Sequence, residues 1–183
     1  MSAPGRSIVL IGMMGAGKSS VGRELEKITG APCLDIDFLV AQKVGASITE
    51  IFAEQGEDFF REAETNVVRD LALHAPTIVI TGGGVLTRET NAPLLKRLGV
   101  VVFLETNEET LWQRVKHGNR RPLLRTPQPR RSLGMLLRER NSTYRALADI
   151  RIETAHLTPR EIAFAILRKI QKLGDKNAGS RTD

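Results

Sequence analysis

The chain has 183 residues, of which 41% are hydrophobic and 26% charged, and these values are typical of a single globular domain with a substantial core. A single cysteine, Cys33, excludes an internal disulfide framework and favours a reducing compartment. No apolar run approaches the roughly 18 residues of a membrane span, and the N-terminus lacks the apolar segment of a signal peptide. We therefore expect a cytoplasmic protein with no membrane partner.

The formal net charge is +6, and the positive excess is concentrated in one segment of the chain. Between Arg120 and Arg140 the sequence has seven arginines and one acidic residue, Glu139. The arginine guanidinium matches phosphate or carboxylate groups in a bidentate way. We predict that this segment, the arginine-rich segment, contacts an anionic ligand.

The hydrophobic pattern alternates between strand and helix along the whole chain. Continuous apolar strands separated by helices indicate an α/β fold with a parallel sheet covered on both faces. Two of the helices have a recognisable N-cap, Asn107 and Thr158. The five predicted strands are SIVLIG (7–12), PCLDID (32–37), TIVITGGG (77–84), VVVFLE (100–105) and DIRIE (149–153). The predicted helices cover 17–30, 57–74, 89–99, 107–118, 132–148 and 158–174.

The first strand is followed by GMMGAGKS, which matches the pattern G-x-x-x-x-G-K-[ST] and opens a helix. In this context the backbone N–H groups wrap phosphates and the helix N-terminus adds a positive dipole. We expect Lys18 to reach the β- and γ-phosphates of ATP and the Ser19 hydroxyl to bind Mg²⁺. The residues predicted to bind the nucleotide here are Gly12, Gly15, Ala16, Gly17, Lys18, Ser19 and Ser20.

Two carboxylates, Asp35 and Asp37, come at the end of the second strand, at the sheet edge where α/β proteins bind ligands. One such carboxylate can hold the hydration shell of Mg²⁺ and another can accept the proton of a substrate hydroxyl. The alternative is a pair of solvated loop carboxylates or a helix N-cap.

The helix at 57–74 places Glu64 three residues after Arg61. This spacing fits a surface ion pair worth a few tenths of a kcal/mol, and it equally fits an arginine held in place to bind a carboxylate. The third strand ends in three glycines, Gly82 to Gly84, which permit close approach of a ligand to the backbone. Three prolines interrupt the arginine-rich segment, which is consistent with a loop that moves as a unit: Pro122, Pro127 and Pro129.

Five motifs in this order resemble the shikimate kinase family: GMMGAGKSSVGR, LDID, GEDFFREAE, TGGG and NRRPLL. The resemblance extends from about Ser7 to Leu173. It implies a P-loop NTPase fold of the nucleoside monophosphate kinase type, with a five-stranded parallel sheet, a substrate-binding segment at about 37–64 and a mobile lid at about 117–131. It also implies transfer of the γ-phosphoryl group of ATP to the 3-hydroxyl of shikimate. Residues 174–183 are expected to form a disordered tail.

The resemblance assigns roles to the acidic and glycine motifs. It implies that Asp35 reaches Mg²⁺ and that Asp37 binds the substrate hydroxyls, with a possible role as base. Arg61 corresponds to the arginine that holds the shikimate carboxylate. Gly82, Gly83 and Gly84 correspond to the glycine run whose backbone N–H groups contact the substrate.

The resemblance also assigns three further arginines. Arg121 corresponds to the lid arginine that contacts the phosphates, with Arg120 as an adjacent candidate, and Arg114 to the arginine that stacks on adenine. Arg140 corresponds to a second carboxylate-binding arginine. The family pattern R-x-P-L-Y here is Arg140-Asn-Ser-Thr-Tyr, so this assignment depends on spacing alone, and Arg138 is the alternative.

Two other classes of function fit part of these observations. One is another small P-loop kinase, such as a gluconate kinase or a nucleoside monophosphate kinase. The other is an ATP-binding regulator that uses the arginine-rich segment to bind nucleic acid. Aromatic residues make up only 4% of the chain and no nucleic-acid-binding module is evident, so we expect ATP and shikimate as partners and no nucleic acid. We expect a monomer.

Overall fold

The computed structural model describes residues 6–71, 76–117 and 122–179. Within these ranges five strands form one sheet in the order β2-β3-β1-β4-β5, and every neighbouring pair is parallel. The α/β fold with a five-stranded parallel sheet is therefore confirmed. The strands are β1 (Ser7–Ile11), β2 (Cys33–Asp35), β3 (Ile78–Ile80), β4 (Gly99–Glu105) and β5 (Ile150–Glu153).

Helices connect the strands and cover the sheet. The described α-helices are α1 (Lys18–Thr29), α2 (Ile36–Val44), α3 (Ile48–Glu54), α4 (Gly56–Leu71), α5 (Asn91–Leu98), α6 (Glu108–Val115), α7 (Pro129–Leu147) and α8 (Pro159–Gly179). There are also two short 3₁₀ turns among the described residues. Val85–Thr87 follows the glycine run 82–84, and Pro122–Leu124 precedes α7. The predicted N-caps are confirmed, since Asn107 Oδ1 accepts from Thr110 N at 2.8 Å and Thr158 Oγ1 from Glu161 N at 3.3 Å.

The register of the sheet brings the functional loops to one edge. Leu10 of β1 lies opposite Ile80 of β3, and Ile80 lies opposite Asp35 of β2. The residues of β1 and β3 are all buried, as expected for apolar strands at the centre of a parallel sheet. The loop after β1, the start of α2 and the glycine run after β3 therefore meet at the carboxyl edge of the sheet, where ligands bind in this class of fold.

Two helices of the predicted substrate-binding segment, α2 and α3, were not delimited by the hydrophobic pattern of the sequence. Asp35 is the N-cap of α2, and its Oδ1 accepts a hydrogen bond from Asp37 N at 3.0 Å. Asp37 therefore lies in the first turn of α2, and the prediction that it ends the second strand is wrong. A capping box of Ser47 and Glu50 starts α3. Both helices are short, since α2 has nine residues and α3 has seven, so the hydrophobic period of each gives only a weak signal in the sequence.

The last helix, α8, continues to Gly179 and so includes the first six residues of the segment expected to form a tail, residues 174–183. Gly174 does not adopt a left-handed conformation, and the residues after it, Asp175 to Ala178, include no proline. The helix therefore has no break at this glycine. Residues 180–183 lie outside the described residues. Among the described residues, no helix is long and apolar enough to cross a membrane.

Candidate active site

The loop between β1 and α1 has the backbone of a phosphate-binding loop. Gly12, Gly15 and Gly17 have φ values of 139°, 83° and 95°, which residues with a side chain rarely adopt. Lys18 begins α1, and its Nζ donates to the carbonyl oxygens of Gly12 at 2.7 Å and Met13 at 3.0 Å. The lysine ammonium therefore lies across the loop it follows, where phosphate oxygens would be bound.

A pocket of about 830 Å³ opens over this loop. Its walls bring together the loop, the start of α2, the end of β3 and one arginine of α6. Ala16 and Gly12 are buried at the base of the loop, where a Cβ on Gly12 would lie 2.8 Å from the carbonyl oxygen of Leu104. The predicted nucleotide and metal residues that line the pocket are Gly15, Gly17, Lys18, Ser19, Ser20, Asp35 and Arg114.

Arg114 is held at the mouth of this pocket by two backbone carbonyls. Its Nη1 donates to Gly15 O at 3.2 Å and its Nη2 to Thr154 O, also at 3.2 Å. The side chain thereby connects α6 to the phosphate-binding loop and to the residue that follows β5. Because the guanidinium is planar, these two hydrogen bonds fix its orientation at the pocket.

A second pocket of about 490 Å³ lies beside the first. One wall is polar and includes Asp37, Arg61, Arg140 and the glycine run 82–84. The two pockets share the wall residues Met14, Asp37, Gly82 and Gly83. The predicted substrate residues are thus brought together at one place. The remaining lining, the apolar wall, is formed by Met14, Ile48, Phe52, Phe60, Pro122 and Leu123.

Arg61 is fixed in the second pocket by two carboxylates of its own helix. Its Nη1 donates to Glu64 Oε2 at 2.8 Å, and its Nη2 and Nε donate to Glu57 Oε1 at 2.8 and 3.1 Å. Arg61 and Glu64 are 5% and 0% exposed, so the alternative of a surface ion pair is wrong. Burial lowers the pKa of Arg61, but Glu64 and Glu57 outweigh burial and hold it above its ordinary value.

Glu64 is the most deeply buried carboxyl of this site. Burial raises its pKa from 4.5 to about 7, and nearby Asp37 adds to this rise while Arg61 opposes it. Its Oε1 is buried and accepts no hydrogen bond from any residue that the structure describes. The carboxyl therefore fixes Arg61 with one oxygen while the other is held beside the glycine run.

Each glycine of the run after β3 lies close against another part of the protein. A Cβ on Gly82 would lie 2.6 Å from both Asp37 Oδ1 and Glu64 Oε1, and one on Gly84 would overlap the Arg61 guanidinium. A Cβ on Gly83 would lie 3.2 Å from Met14 N of the phosphate-binding loop. The run thus lets two loops and three charged side chains pack together, a reason additional to the expected close approach of a ligand.

The candidate arginines of α7 differ in their surroundings. Arg140 is 8% exposed, lines the second pocket and donates from Nη1 to Gly83 O at 2.9 Å. Arg138 has a side chain that is 69% exposed, and it lies 3.7 Å from Glu108 of α6. The structure thus places Arg140, and not Arg138, in the pocket. Ser142 and Thr143, where the sequence departs from the family pattern, are exposed on the outer side of α7.

The arginine-rich segment is only partly directed at ligands. Arg130 pairs with Glu109 at 2.6 Å, and Arg138 approaches Glu108, so carboxylates of α6 neutralise part of its charge. Arg120 and Arg121 lie outside the described residues. The residues that follow them, Pro122 and Leu123, line the second pocket, so the first described residues of this segment contribute to the pocket wall.

Sequence reasoning missed two residues of this site. Glu57, four residues before Arg61, supplies a second carboxylate, and the i,i+4 spacing was a signal that could have indicated it. The other is Tyr144, the last residue of the Arg140-Asn-Ser-Thr-Tyr pattern. It is fully buried, and its hydroxyl donates to Gly83 O.

The comparison with known protein families decides between the kinase classes left open by the sequence. Residues 14–171 match the family model described as shikimate kinase. The chain belongs to the shikimate kinase family. It is 40% identical to the shikimate kinase of Cereibacter sphaeroides over 161 residues, which cover 88% of this chain and 80% of the relative. It is 42% identical to the shikimate kinase of Acinetobacter baylyi, with 92% and 93% covered.

Solved structures give the same assignment. A shikimate kinase from Acinetobacter baumannii in complex with shikimate has a TM-score of 0.88 and 40% identity, and the match covers 91% of this chain and 93% of that one. A shikimate kinase from Aquifex aeolicus has a TM-score of 0.77 and 31% identity, with 95% and 98% covered. A gluconokinase from Sinorhizobium meliloti has a TM-score of 0.60 at 18% identity and shows a shared fold alone.

Proposed function

We propose that this protein transfers the γ-phosphoryl group of ATP to the 3-hydroxyl of shikimate, giving 3-phosphoshikimate and ADP. The observation that carries the proposal is the junction of two pockets at Asp37, Gly82 and Gly83. One pocket is built on a phosphate-binding loop, and the other has two buried arginines and an apolar wall. A phosphoryl donor and a carboxylate-bearing acceptor can therefore meet across a shared boundary, as in-line transfer requires.

The nucleotide is bound by the loop after β1 in this proposal. The backbone N–H groups of the loop and the N-terminus of α1 bind the β- and γ-phosphates, and Lys18 supplies a positive charge beside them. Arg114 stacks on the adenine, which is supported by its fixed position at the mouth of the pocket. Arg121 contacts the moving phosphoryl group when the lid closes, a role that rests on the family motif because this residue lies outside the described residues.

The proposed metal is Mg²⁺, and the residues present fit it. Ser19 and Asp35 both line the nucleotide pocket and offer hydroxyl and carboxylate oxygens, the donors that this ion prefers. In this proposal the ion is bound chiefly through the ATP phosphates, as Mg²⁺ usually is in kinases. When bound, Mg²⁺ neutralises charge on the phosphates.

The acceptor is bound by its carboxylate, its ring and its hydroxyl. Arg61 and Arg140 bind the carboxylate, and the glycine run contributes backbone N–H groups. The apolar wall of Ile48, Phe52 and Phe60 accommodates a carbocycle. Asp37 orients the 3-hydroxyl towards the γ-phosphate and accepts its proton as the new P–O bond forms. A loose transition state needs little help from a base, so orientation is the larger part of its contribution.

Closure of the lid completes the site in this proposal. Water competes with the acceptor hydroxyl for the phosphoryl group, so transfer is most efficient when the pocket is covered only after both substrates bind. Pro122 and Leu123 already contribute to the wall of the acceptor pocket, which supports a lid at about 117–131. The proposed active unit is a monomer. The proposed location is the cytoplasm.

The test is ADP release by the purified protein in the presence of MgATP, with shikimate, gluconate and AMP compared as acceptors. The proposal expects turnover with shikimate at a rate far above that with the other two. Turnover with gluconate or AMP alone would overturn the acceptor assignment and leave the nucleotide site intact. Binding of ATP without turnover of any acceptor would favour the regulatory alternative.

A further inference from the structure

We propose that Tyr144 is a positioning residue for the acceptor carboxylate, because its hydroxyl fixes the Gly83 carbonyl that determines which edge of the Arg140 guanidinium faces the pocket. This inference rests on the proposed function, since it concerns the carboxylate of the same acceptor. It adds a residue of α7 that does not itself line the described acceptor pocket.

The inference starts from one carbonyl oxygen with two donors. Arg140 Nη1 donates to Gly83 O at 2.9 Å, and the hydroxyl of Tyr144 donates to the same oxygen. The two donors lie four residues apart on α7, so they project from the same face of the helix. Burial raises the pKa of Tyr144 to about 12, so the phenol keeps its proton near neutral pH and acts as a donor.

The Tyr144 ring is fixed by its burial and by contacts with β4 and the phosphate-binding loop. It is fully buried, its centroid lies 5.2 Å from that of Phe103, and its hydroxyl oxygen lies 3.8 Å from Met13 Sδ in the phosphate-binding loop. Gly83 in turn approaches Met14 so closely that a Cβ would lie 3.2 Å from Met14 N. The carbonyl of Gly83 is therefore positioned between the phosphate-binding loop and α7, with Tyr144 as a fixed anchor.

This arrangement assigns the edges of the Arg140 guanidinium. Nη1 is engaged by Gly83 O, whereas Nε is buried and has no hydrogen-bond partner among the described residues. A buried donor without a partner is costly, and a carboxylate can satisfy it by accepting from Nε and Nη2 together. The Nε–Nη2 edge is thus the one that binds the acceptor carboxylate, and Gly83 O keeps the guanidinium in that orientation.

The Tyr144→Phe variant isolates the hydroxyl, because the ring and its contact with Phe103 are retained. The Gly83 carbonyl then depends on Arg140 alone, and the guanidinium loses its fixed orientation towards the carboxylate. We expect KM for shikimate to rise about tenfold, with kcat and KM for ATP within about twofold of the wild type. Thr29→Val is the matched control, since it removes a half-buried hydroxyl that donates to Leu25 O within α1, and Thr29 lines neither pocket.

A neutral acceptor separates positioning of the carboxylate from general damage. With the methyl ester of shikimate, Tyr144→Phe should change KM by less than about twofold, because the ester cannot form the charged bidentate contact. Adding Tyr144→Phe to Arg140→Lys should have little further effect on KM for shikimate. Three results would overturn the inference. Tyr144→Phe could raise KM for the methyl ester as much as KM for shikimate, it could raise KM for ATP by the same factor, or its effect on KM for shikimate could add in full to that of Arg140→Lys.

A second measurement serves if Tyr144→Phe does not fold. Tyr144 is the only tyrosine of the chain, so growth on 3-fluorotyrosine labels this position alone. We expect shikimate to shift the fluorine resonance and the methyl ester to leave it nearly unchanged, and a resonance that shikimate leaves unmoved would overturn the inference. If the wild type does not phosphorylate shikimate, the proposed function fails. If it does and Tyr144→Phe matches it, only this inference fails.

Discussion

Asp37 and Glu64 converge on the same glycine, since a Cβ on Gly82 would lie 2.6 Å from Asp37 Oδ1 and 2.6 Å from Glu64 Oε1. The two acidic side chains belong to different helices, α2 and α4, and only the absence of a side chain at Gly82 lets both approach the loop after β3. The geometry of the acceptor pocket therefore depends on a residue that contributes no functional group of its own.

The first prediction concerns this glycine. Gly82→Ala should lower kcat/KM for shikimate by at least about 100-fold, because the methyl group displaces Asp37 and Glu64 and the fully buried Glu64 has little room to move. Steady-state kinetics with shikimate varied at saturating ATP measures the effect. The control is Gly174→Ala in α8, where a Cβ meets no atom within 4 Å. An unchanged kcat/KM in Gly82→Ala would show that the reaction does not depend on the positions of the Asp37 and Glu64 carboxyl groups.

The second prediction concerns the pH dependence of stability. The Glu64 carboxyl has a pKa of about 7 in the folded chain and an ordinary value of 4.5. Between these pH values the folded state holds a proton that the unfolded state releases, so the free energy of unfolding falls as pH rises. The stability from this group is complete below about pH 4.5, and about 3 kcal/mol of it is lost by pH 8.

Urea unfolding of wild type and Glu64→Gln at pH 5, 6, 7 and 8 measures this term, because glutamine resembles the protonated carboxyl and does not titrate. We expect the difference between the two free energies of unfolding to change in favour of Glu64→Gln as pH rises. A difference that stays constant from pH 5 to pH 8 would show that the pKa of Glu64 is close to its ordinary value.

The third prediction concerns Arg61. Arg61→Lys keeps the charge but cannot bridge Glu57, Glu64 and an acceptor carboxylate at once, because the ammonium lacks the planar fork. KM for shikimate should rise at least about tenfold, equivalent to about 1.4 kcal/mol, with KM for ATP little changed. Arg138→Lys, at an exposed site on α7, is the matched control. A greater effect on KM for ATP than on KM for shikimate would contradict the assignment.

The fourth prediction concerns Asp37. Asp37→Asn removes the negative charge that orients the acceptor hydroxyl, and kcat should fall about 1000-fold, or about 4 kcal/mol in the barrier. Isothermal titration should still detect ATP binding at near wild-type affinity, since the phosphate-binding loop is unchanged. Asp58→Asn, a fully exposed carboxylate on α4, should retain wild-type kcat. Loss of ATP binding in Asp37→Asn would assign this residue to the nucleotide.

Much of the fold was predictable because the strands are continuous apolar runs and the phosphate-binding loop has a specific pattern. The start of α2 was not, since the same LDID stretch fits either a strand end or an N-cap. In the structure the stretch forms an N-cap, because the Asp35 side chain accepts a hydrogen bond from Asp37 N at 3.0 Å and the pairing of β2 with β3 ends at Asp35. Such a balance between local capping and sheet pairing is not encoded in a single hydrophobic period.

The site was predictable as a set of residues, and less so as a set of contacts. The spacing of Arg61 and Glu64 indicated a pair, but the sequence did not reveal that both are buried. Likewise, the choice between Arg138 and Arg140 depends on which side of α7 faces Gly83, a tertiary contact between residues 57 positions apart. The pairing of Arg130 with Glu109 also needed the packing of α6 against α7.

The most direct test of the central claim is phosphorus and proton NMR of the product formed from ATP and shikimate by the purified protein. The account predicts one new phosphomonoester whose phosphorus couples to the proton at carbon 3 of shikimate, formed in equal amount with ADP. Inorganic phosphate as the main product, or an ester at another hydroxyl, would contradict the proposed geometry of the two pockets.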